Sequence, residues 1–269
     1  MNTFNFLPEG WNEETEELNI NKIHDYKENN KIVQGIVQSC DQNYNLHINL
    51  GNEIEGIIPR DEVENIKEGI PNERLCTGKV HKYVQFKIKD IENDGKILLS
   101  RKSVQQEVLN YIKDNVEIGQ TLMGIVKNIK PYGAFIEIGG GIVGLAHIED
   151  LSVARIKTPY ERLKIGQKVK IVVKSIDRFT GRVNLSYKET LGTWEENAKN
   201  FSSGMKVKGI IRETEKNKNG IFIELTPNLV GMAEYSEGYE YGQRVNVYIK
   251  KIDTQKKKVK LVIERQNSL

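Results

Sequence analysis

Apolar residues alternate with polar ones along much of the chain, most clearly in residues 117–190. Ala134, Ile136 and Ile138 alternate with Phe135 and Glu137. Val169, Ile171 and Val173 alternate with Lys168, Lys170 and Val172, and Val183 and Leu185 alternate with Arg182, Asn184 and Ser186. A period of two sends one set of side chains to a core and the other to the surface, the signature of a half-buried strand. Pro131, Gly133, the Gly139–Gly141 run, Gly166 and Gly181 punctuate the strand ends. Five short strands in so few residues cannot bury both faces of a flat sheet. Closing into a small barrel removes the edges and encloses one core.

The pattern recurs. GQTLMGIVKNIKPYGAFIEIGGGIVGLAHI (119–148) is answered by GMKVKGIIRETEKNKNGIFIELTPNLVGMAEY (204–235), with Gly124, Phe135 and Gly144 matching Gly209, Phe222 and Gly231. IGQKVKIVVKSIDRFTGRVNLS (165–186) is answered by YGQRVNVYIKKIDTQKKKVKLV (241–262). A more diverged copy reads KIVQGIVQSCDQNYNLHINLGNEIEGIIP (31–59), then KYVQFKIKDIENDGKILLSRK (82–102). A repeat of roughly 80–90 residues is too long for a solenoid unit and suits an array of whole small domains. The modules are expected at 31–103, 117–190 and 203–265. The last has a short crossover after its third strand, since Gly231 and Gly242 stand closer than Gly144 and Gly166. Residues 102–115 place Val104, Val108, Tyr111 and Ile112 at helical spacing. Residues 189–201 offer Thr193 and Glu196 as a capping box for a second connecting helix. Residues 1–30, with 7 acidic residues against 2 basic ones, read as a flexible or only locally helical segment.

Charge sharpens this division. The formal net charge is only +3, but residues 1–116 hold 14 Lys and Arg against 20 Asp and Glu, residues 117–190 hold 12 against 7, and residues 203–269 hold 13 against 8. An anionic polymer should prefer the last two modules. Cys40 and Cys76 form neither a CxxC metal pair nor a disulfide framework, which suits a reducing, cytoplasmic setting. The N-terminus lacks the apolar stretch of a signal peptide, and no apolar run approaches the ~20 residues that span a bilayer. No spacing of His24, His47 and His81 resembles a zinc site. The glycine run at 139–141 lacks the following Lys-Ser/Thr of a phosphate loop and reads as a hairpin turn. Trp11 and Trp194 read as packing anchors. No cofactor is expected.

The stretches GIVKNIKPYGAFIEIGGGIVGLAHIEDLS (124–152) and GQKVKIVVKSIDRFTGRVNLSYKE (166–189) resemble the RNA-binding motif named after ribosomal protein S-one. The whole chain from residue 31 to about residue 265 is similar to compact three-module members of that family from Gram-positive, clostridia-like bacteria. LGTWEENA (191–198) and ELTPNLVGMAE (224–234) add to the likeness. The resemblance implies an all-β chain of three tandem five-stranded OB-fold barrels joined by short helices. It also implies a five-position RNA face: Tyr132 (where Phe is more usual) and Phe135 flanking the start of the second strand, His147 ending the third, Asp177 after the fourth and Arg182 opening the fifth. Bases can stack on Tyr132, Phe135 and the His147 ring, and Arg182 can bind phosphate or stack. Asp177 can hold Arg182 or accept from a base edge or a 2′-hydroxyl. Lys127, Lys130, Lys170 and Lys174 are expected to supply an electrostatic track.

The third module keeps Phe222, Asp253 and Lys258 but has Asn219 and Glu234 at the Tyr132 and His147 positions. Tyr235, Tyr239, Tyr248 and the lysines at 256–258 are candidate compensation, and weaker RNA binding is expected. The first module has Tyr44 and His47 at the aromatic positions, Pro59 at the His147 position and Lys96 at the Arg182 position. Arg60, His81, Lys82 and Tyr83 lie nearby. The family uses N-terminal modules to dock on the ribosome, so the first module is a candidate protein-binding module with the small ribosomal subunit as partner. Non-enzymatic binding of single-stranded mRNA in translation is the expected function. The competing readings are a component of an RNA decay or processing complex and a transcription-regulatory RNA binder. No segment is left over for a catalytic domain, and no membrane association is expected.

Overall fold

The computed structural model describes residues 5–215 and 220–264. It contains three closed five-stranded barrels. The first is built from β1 (Val33–Cys40), β2 (Leu46–Gly51), β3 (Ile54–Ile58), β4 (Tyr83–Ile91) and β5 (Ile97–Ser100). The second comprises β6 (Thr121–Lys130), β7 (Gly133–Gly139), β8 (Ile142–His147), β9 (Lys168–Ile176) and β10 (Val183–Ser186). The third comprises β11 (Lys206–Glu215), β12 (Gly220–Thr226), β13 (Leu229–Glu234), β14 (Arg244–Asp253) and β15 (Lys258–Ile263). In each, the first three strands form an antiparallel meander. The fifth strand then inserts parallel to the third, and the fourth closes the barrel on the first.

The alternation does what it implies: Ala134, Ile136, Ile138, Ile171, Val173 and Leu185 are all buried in the second barrel. The repeated glycines mark close approaches across that core. A Cβ on Gly124 would lie 2.5 Å from Ile136 Cγ2, and one on Gly209 would lie 2.4 Å from Ile223 Cγ2. After β8 the chain runs through two 3₁₀ turns, Ile148–Asp150 and Pro159–Glu161, before β9. The third barrel has no such excursion between β13 and β14.

Four α-helices accompany the barrels among the described residues: α1 (Ile20–Glu28), α2 (Glu73–Thr77), α3 (Arg101–Asn115) and α4 (Trp194–Ala198). The Ser100 hydroxyl caps α3, whose Val104, Val108 and Ile112 join the second-barrel core. The connector expected over 189–201 is broken in two. A 3₁₀ turn (Lys188–Leu191) ends at Gly192, whose φ is +82°, and α4 restarts at the Thr193–Glu196 capping box. Trp194 packs on the third core, as an anchor should.

The acidic N-terminal segment differs from the expectation of flexibility. Leu18, Ile23 and Tyr26 are buried in the first-barrel core, and the Phe6 ring meets Tyr111 of α3 edge-on at 5.3 Å. Its acidity does not prevent docking, because Glu13, Glu14, Glu16 and Glu17 remain in water while the one deeply buried acid, Glu9, is paired. The Arg101 guanidinium donates Nε to Glu9 Oε1 (2.6 Å) and Nη2 to Glu9 Oε2 (2.9 Å), and Nη1 reaches Glu64 Oε2 (2.8 Å). Glu9 N donates to Glu137 Oε1 of the second barrel (2.6 Å), and Gln85 N of the first donates to Glu9 Oε1 (3.0 Å). The segment is thus a strap tied to both barrels.

A second polar joint holds the third barrel. Arg162 Nη2 donates to Glu224 Oε2 (2.6 Å); Arg212 donates to Glu224 and to Glu161; Tyr241 Oη donates to Glu161 Oε1 (2.8 Å). Ala154 N and Ser152 Oγ both donate to the Pro227 carbonyl, and Asn228 Nδ2 donates to the carbonyls of Lys188 and Gly192. The segment 224–234, singled out by likeness alone, begins as this joint.

Candidate nucleic-acid interface

The β6–β7 hairpin turns at Pro131–Tyr132 and returns through Gly133, which pairs with His147 at the end of β8. A side chain at Gly133 would press within 2.4 Å of the Ala146 carbonyl, so the close β7–β8 approach that sets Tyr132 beside His147 requires glycine. Tyr132 is 50% exposed. Its ring meets that of Phe135 at a centroid distance of 6.1 Å and an angle of 82°, an edge-to-face pair that leaves aromatic surface in solvent. Phe135 is half-buried on the outer surface of β7, between Asn128 of β6 and Leu145 of β8. His147 is exposed, and its Nδ1 lies 3.5 Å from Glu149 N and 3.7 Å from the Glu149 carboxylate.

Across the parallel β8–β10 seam, Asn184 stands opposite Leu145 and donates through Nδ2 to Ser175 Oγ (2.9 Å). Two residues earlier on the same outer face, Arg182 is exposed and makes no ion pair among the described residues. The face therefore runs over β7, β8 and β10, with aromatic rings at one end, a small polar middle and a free guanidinium at the other. Asn184 escaped the sequence reading. Its signal was its place, two residues after Arg182 in the alternation of β10.

The Asp177 carboxylate is engaged within its own turn. Its Oδ1 accepts from Phe179 N (2.9 Å) and Thr180 N (3.1 Å), and its Oδ2 accepts from Thr180 Oγ1 (2.5 Å). The Thr180 hydroxyl and these amides hold its carboxyl below the usual aspartate range. It shapes the β9–β10 turn, and the Arg182 charge adds to this lowering without a direct hydrogen bond to Asp177 among the described residues.

The four lysines divide. Lys130 is exposed at the end of β6 next to Tyr132, without an ion-pair partner among the described residues. Lys170 is also free, but it sits opposite Met123 on the β6–β9 seam rather than on the aromatic face. Lys127 pairs with buried Glu137 (2.6 Å) and donates to the Glu9 carbonyl (3.3 Å). Lys174 pairs with buried Asp150 (2.8 Å). Both thus neutralise buried carboxylates, with their own side chains still 38% and 51% exposed.

In the third barrel, Phe222 is half-buried opposite Met232, and Glu234 pairs with Gly220 as His147 does with Gly133, so a carboxylate replaces the imidazole in register. Asn219 lies outside the described residues. Asp253 again holds its turn, accepting from Lys256 N (2.9 Å), which with nearby lysines depresses its pKa, and Lys258 is exposed. Tyr235 and Tyr239 pack against the core, so they do not replace the missing rings. Tyr248 is exposed, but opposite Val262 and Lys206 on β14.

The first barrel uses its aromatic positions internally. The Arg60 guanidinium covers the Tyr44 ring at 4.7 Å, and His47 lies between Glu55 (3.0 Å) and Asp41 (3.5 Å). Pro59 ends the strand where His147 would stand, and Lys96 lies 4.0 Å from Glu92. No open ring-and-arginine face results. Among the described residues no group of His, Cys, Asp and Glu could hold a metal ion, and no helix is long and apolar enough to cross a membrane.

The strand order and the β7–β8–β10 face coincide with a family match: the model described as "S1 RNA binding domain" fits residues 26–102 and 115–188. The chain belongs to the S1 RNA-binding domain family. The third barrel lies outside the matched residues, yet it shares the strand order of the other two. The chain is similar to small ribosomal subunit protein bS1 of Staphylococcus aureus, with 35% identity over 198 residues covering 67% of this chain and 50% of the relative. It is also similar to bS1 of Chlamydia trachomatis, with 30% identity over 235 residues covering 82% of this chain and 41% of the relative. It thus spans half or less of the length of these S1 relatives. Among solved structures, GSP13 from Bacillus subtilis is 29% identical, covering 29% of this chain and 61% of its own, with a TM-score of 0.28.

Proposed function

We propose that this S1-family chain is a non-enzymatic binder of single-stranded RNA that acts in translation, holding mRNA at the small ribosomal subunit. The observation that carries the reading is the second-barrel face: exposed Tyr132 edge-to-face with half-buried Phe135, beside exposed His147 and Arg182, which makes no ion pair among the described residues. Rings with open π-faces accept any base, and a free guanidinium neutralises phosphate, so binding is sequence-tolerant and salt-sensitive. The third barrel supports an extension of the track, with one ring (Phe222) and a basic turn, and binds more weakly. The first barrel, whose ring and imidazole are already engaged, is the module that contacts protein on the ribosome. The relation to bS1 proteins favours the small subunit over a nuclease or polymerase as partner.

The test is fluorescence anisotropy with a single-stranded and a duplex RNA. Replacing Phe135 and His147 with Ala should weaken single-strand binding by about 1–3 kcal/mol per stacked base lost while the barrel stays folded. Unchanged affinity, or a preference for duplex, refutes the face. Co-sedimentation with 30S subunits at low salt tests the partner. Its absence, with stable association to a nuclease or polymerase, refutes the translational role.

A further inference from the structure

Phe179 is explained neither by the barrel core nor by the face described above. It is 90% exposed, more than any other large apolar residue among those described. A lone exposed apolar residue on a loose loop needs no explanation, but this loop is not loose. Asp177 accepts three hydrogen bonds from Phe179 and Thr180, and Gly181 N closes the turn on the Asp177 carbonyl (2.7 Å). On the other side, Arg178 donates to the carbonyls of Ile112 (3.0 Å), Lys113 (2.6 Å) and Val116 (2.7 Å), groups at the C-terminal end of α3 that have no further helix turn to bond them. The turn is also seated on that helix: a Cβ at Gly181, where φ is +74°, would lie 2.3 Å from Leu109 Cδ1. The fold therefore fixes the turn at both ends and leaves the ring between them in water.

Its position follows from the strand register. Asn184 lies opposite Leu145 on parallel strands, so Arg182 lies toward Val143, at the far end of β8 from His147. A strand of RNA leaving the Tyr132–Phe135–His147 cluster along this face passes Asn184 and Arg182 and reaches the turn that carries Phe179. We propose that Phe179 is an additional base-stacking platform, which lengthens the second barrel's footprint by about one nucleotide at its α3 end. This rests on the single-stranded RNA reading of the face.

The chemistry favours a base over an apolar protein partner. Its neighbours in the chain, Arg178, Thr180 and Arg182, are polar, whereas protein interfaces need a contiguous apolar patch. An isolated π-face next to a free guanidinium matches a nucleotide, which presents a flat base beside a phosphate. The corresponding turn of the third barrel has Gln255 at this place, followed by Lys256, Lys257 and Lys258, so it offers charge without a ring.

The experiment uses the full chain and oligouridylates of graded length, with Phe179→Ala, the conservative Phe179→Tyr and the double change Phe135→Ala/His147→Ala side by side. Phe179→Ala should weaken binding of a long oligomer by about 5- to 150-fold and shorten the minimum length that gives full affinity. Phe179→Tyr should bind as wild type. Because the ring contributes nothing to the core, the thermal midpoint should not move. Wild-type affinity of Phe179→Ala, with the double change still impaired, overturns this inference and leaves the RNA face standing. Wild-type affinity of both overturns the RNA face itself. Equal impairment of Phe179→Ala and Phe179→Tyr, or a Phe179→Ala variant that keeps RNA but loses a protein partner, also overturns the platform. As an independent readout, Phe179→Trp in a Trp11→Phe/Trp194→Phe background should be quenched on adding oligouridylate, and an unquenched indole overturns the proposal.

Discussion

Replacing Arg101 with Met tests whether the N-terminal strap is an integral part of the first two barrels. Arg101 is essentially inaccessible to solvent and makes four hydrogen bonds, two to Glu9, one to Glu64 and one to the Val63 carbonyl. Burial alone would raise the Glu9 pKa, but the Arg101 charge and its hydrogen bonds hold the carboxyl below the ordinary glutamate value. Methionine keeps the apolar stem and deletes the charge. Glu9 would then be a buried carboxylate facing Glu137, and Glu64 would keep Lys79 at 3.2 Å and the Gln105 side-chain amide. Removing one partner of a buried pair costs about 3–5 kcal/mol, whereas replacing both partners with apolar residues is often neutral. Arg101→Met should therefore destabilise by that amount, and Arg101→Met/Glu9→Leu should recover most of it. The chain has two tryptophans, which report separately: Trp11 lies in the strap near Lys168 (5.8 Å), and Trp194 packs on the third barrel. In a Trp194→Phe background, urea unfolding followed by Trp11 emission should shift by about 1.5–5 M if the slope is near 1–2 kcal/mol/M. The third-barrel transition, followed by Trp194 with Trp11→Phe, should not move. A Trp11 transition displaced by less than about 0.5 kcal/mol, well under the cost of an uncompensated buried charge, would refute the strap as a structural element. So would a double variant no better than the single.

The same junction predicts a pH signature. Burial and the neighbouring Glu9 charge push the Glu137 pKa up, so its folded form holds a proton more tightly than the unfolded chain does. Stability of the first two barrels should rise as pH falls from neutrality toward 4.5, the ordinary glutamate value. It should then fall below 4.5 as Glu9, whose folded pKa is lowered, is forced to protonate. Glu137→Gln should abolish the rise and keep the fall in Trp11-detected melts; a rise that survives refutes the assignment. At the other joint, Glu224→Gln leaves Arg162 and Arg212, both largely buried, sharing a neutral acceptor. It should cost up to about 3–5 kcal/mol and loosen the second barrel from the third, detected as faster independent tumbling in NMR relaxation; an unchanged correlation time refutes the joint.

The barrels themselves were legible in the sequence, because strand alternation is a local, period-two property. Ala134, Ile136 and Ile138 face inward for the reason their spacing implied, and Gly124 and Gly209 recur because each barrel brings the same side chain against the same backbone. The rings Tyr132 and Phe135, with His147 and Arg182, were singled out by the family resemblance, and the fold brings them to one outer face. What the local pattern could not carry was which polar residues the tertiary fold would consume. Glu137 stood on the outward register yet is buried, because the Glu137 end of the outer surface of β7 is covered by a strap from residues more than a hundred positions away. The same strap engages Lys127, buried Asp150 pairs Lys174, and the Asp177 carboxylate braces its own turn. Tyr235 and Tyr239, expected to face RNA, packed against the third core. The acidic N-terminal segment read as flexible or only locally helical by composition, since its few apolar residues could not form a core of their own, and α1 is the local helix it contains. It docks because Leu18, Ile23 and Tyr26 complete the first-barrel core and Arg101 neutralises its one buried acid. Local periodicity determined which side of a strand each residue occupies; only long-range pairing of charges and hydrogen bonds decided which of the outward residues remain free to meet a ligand.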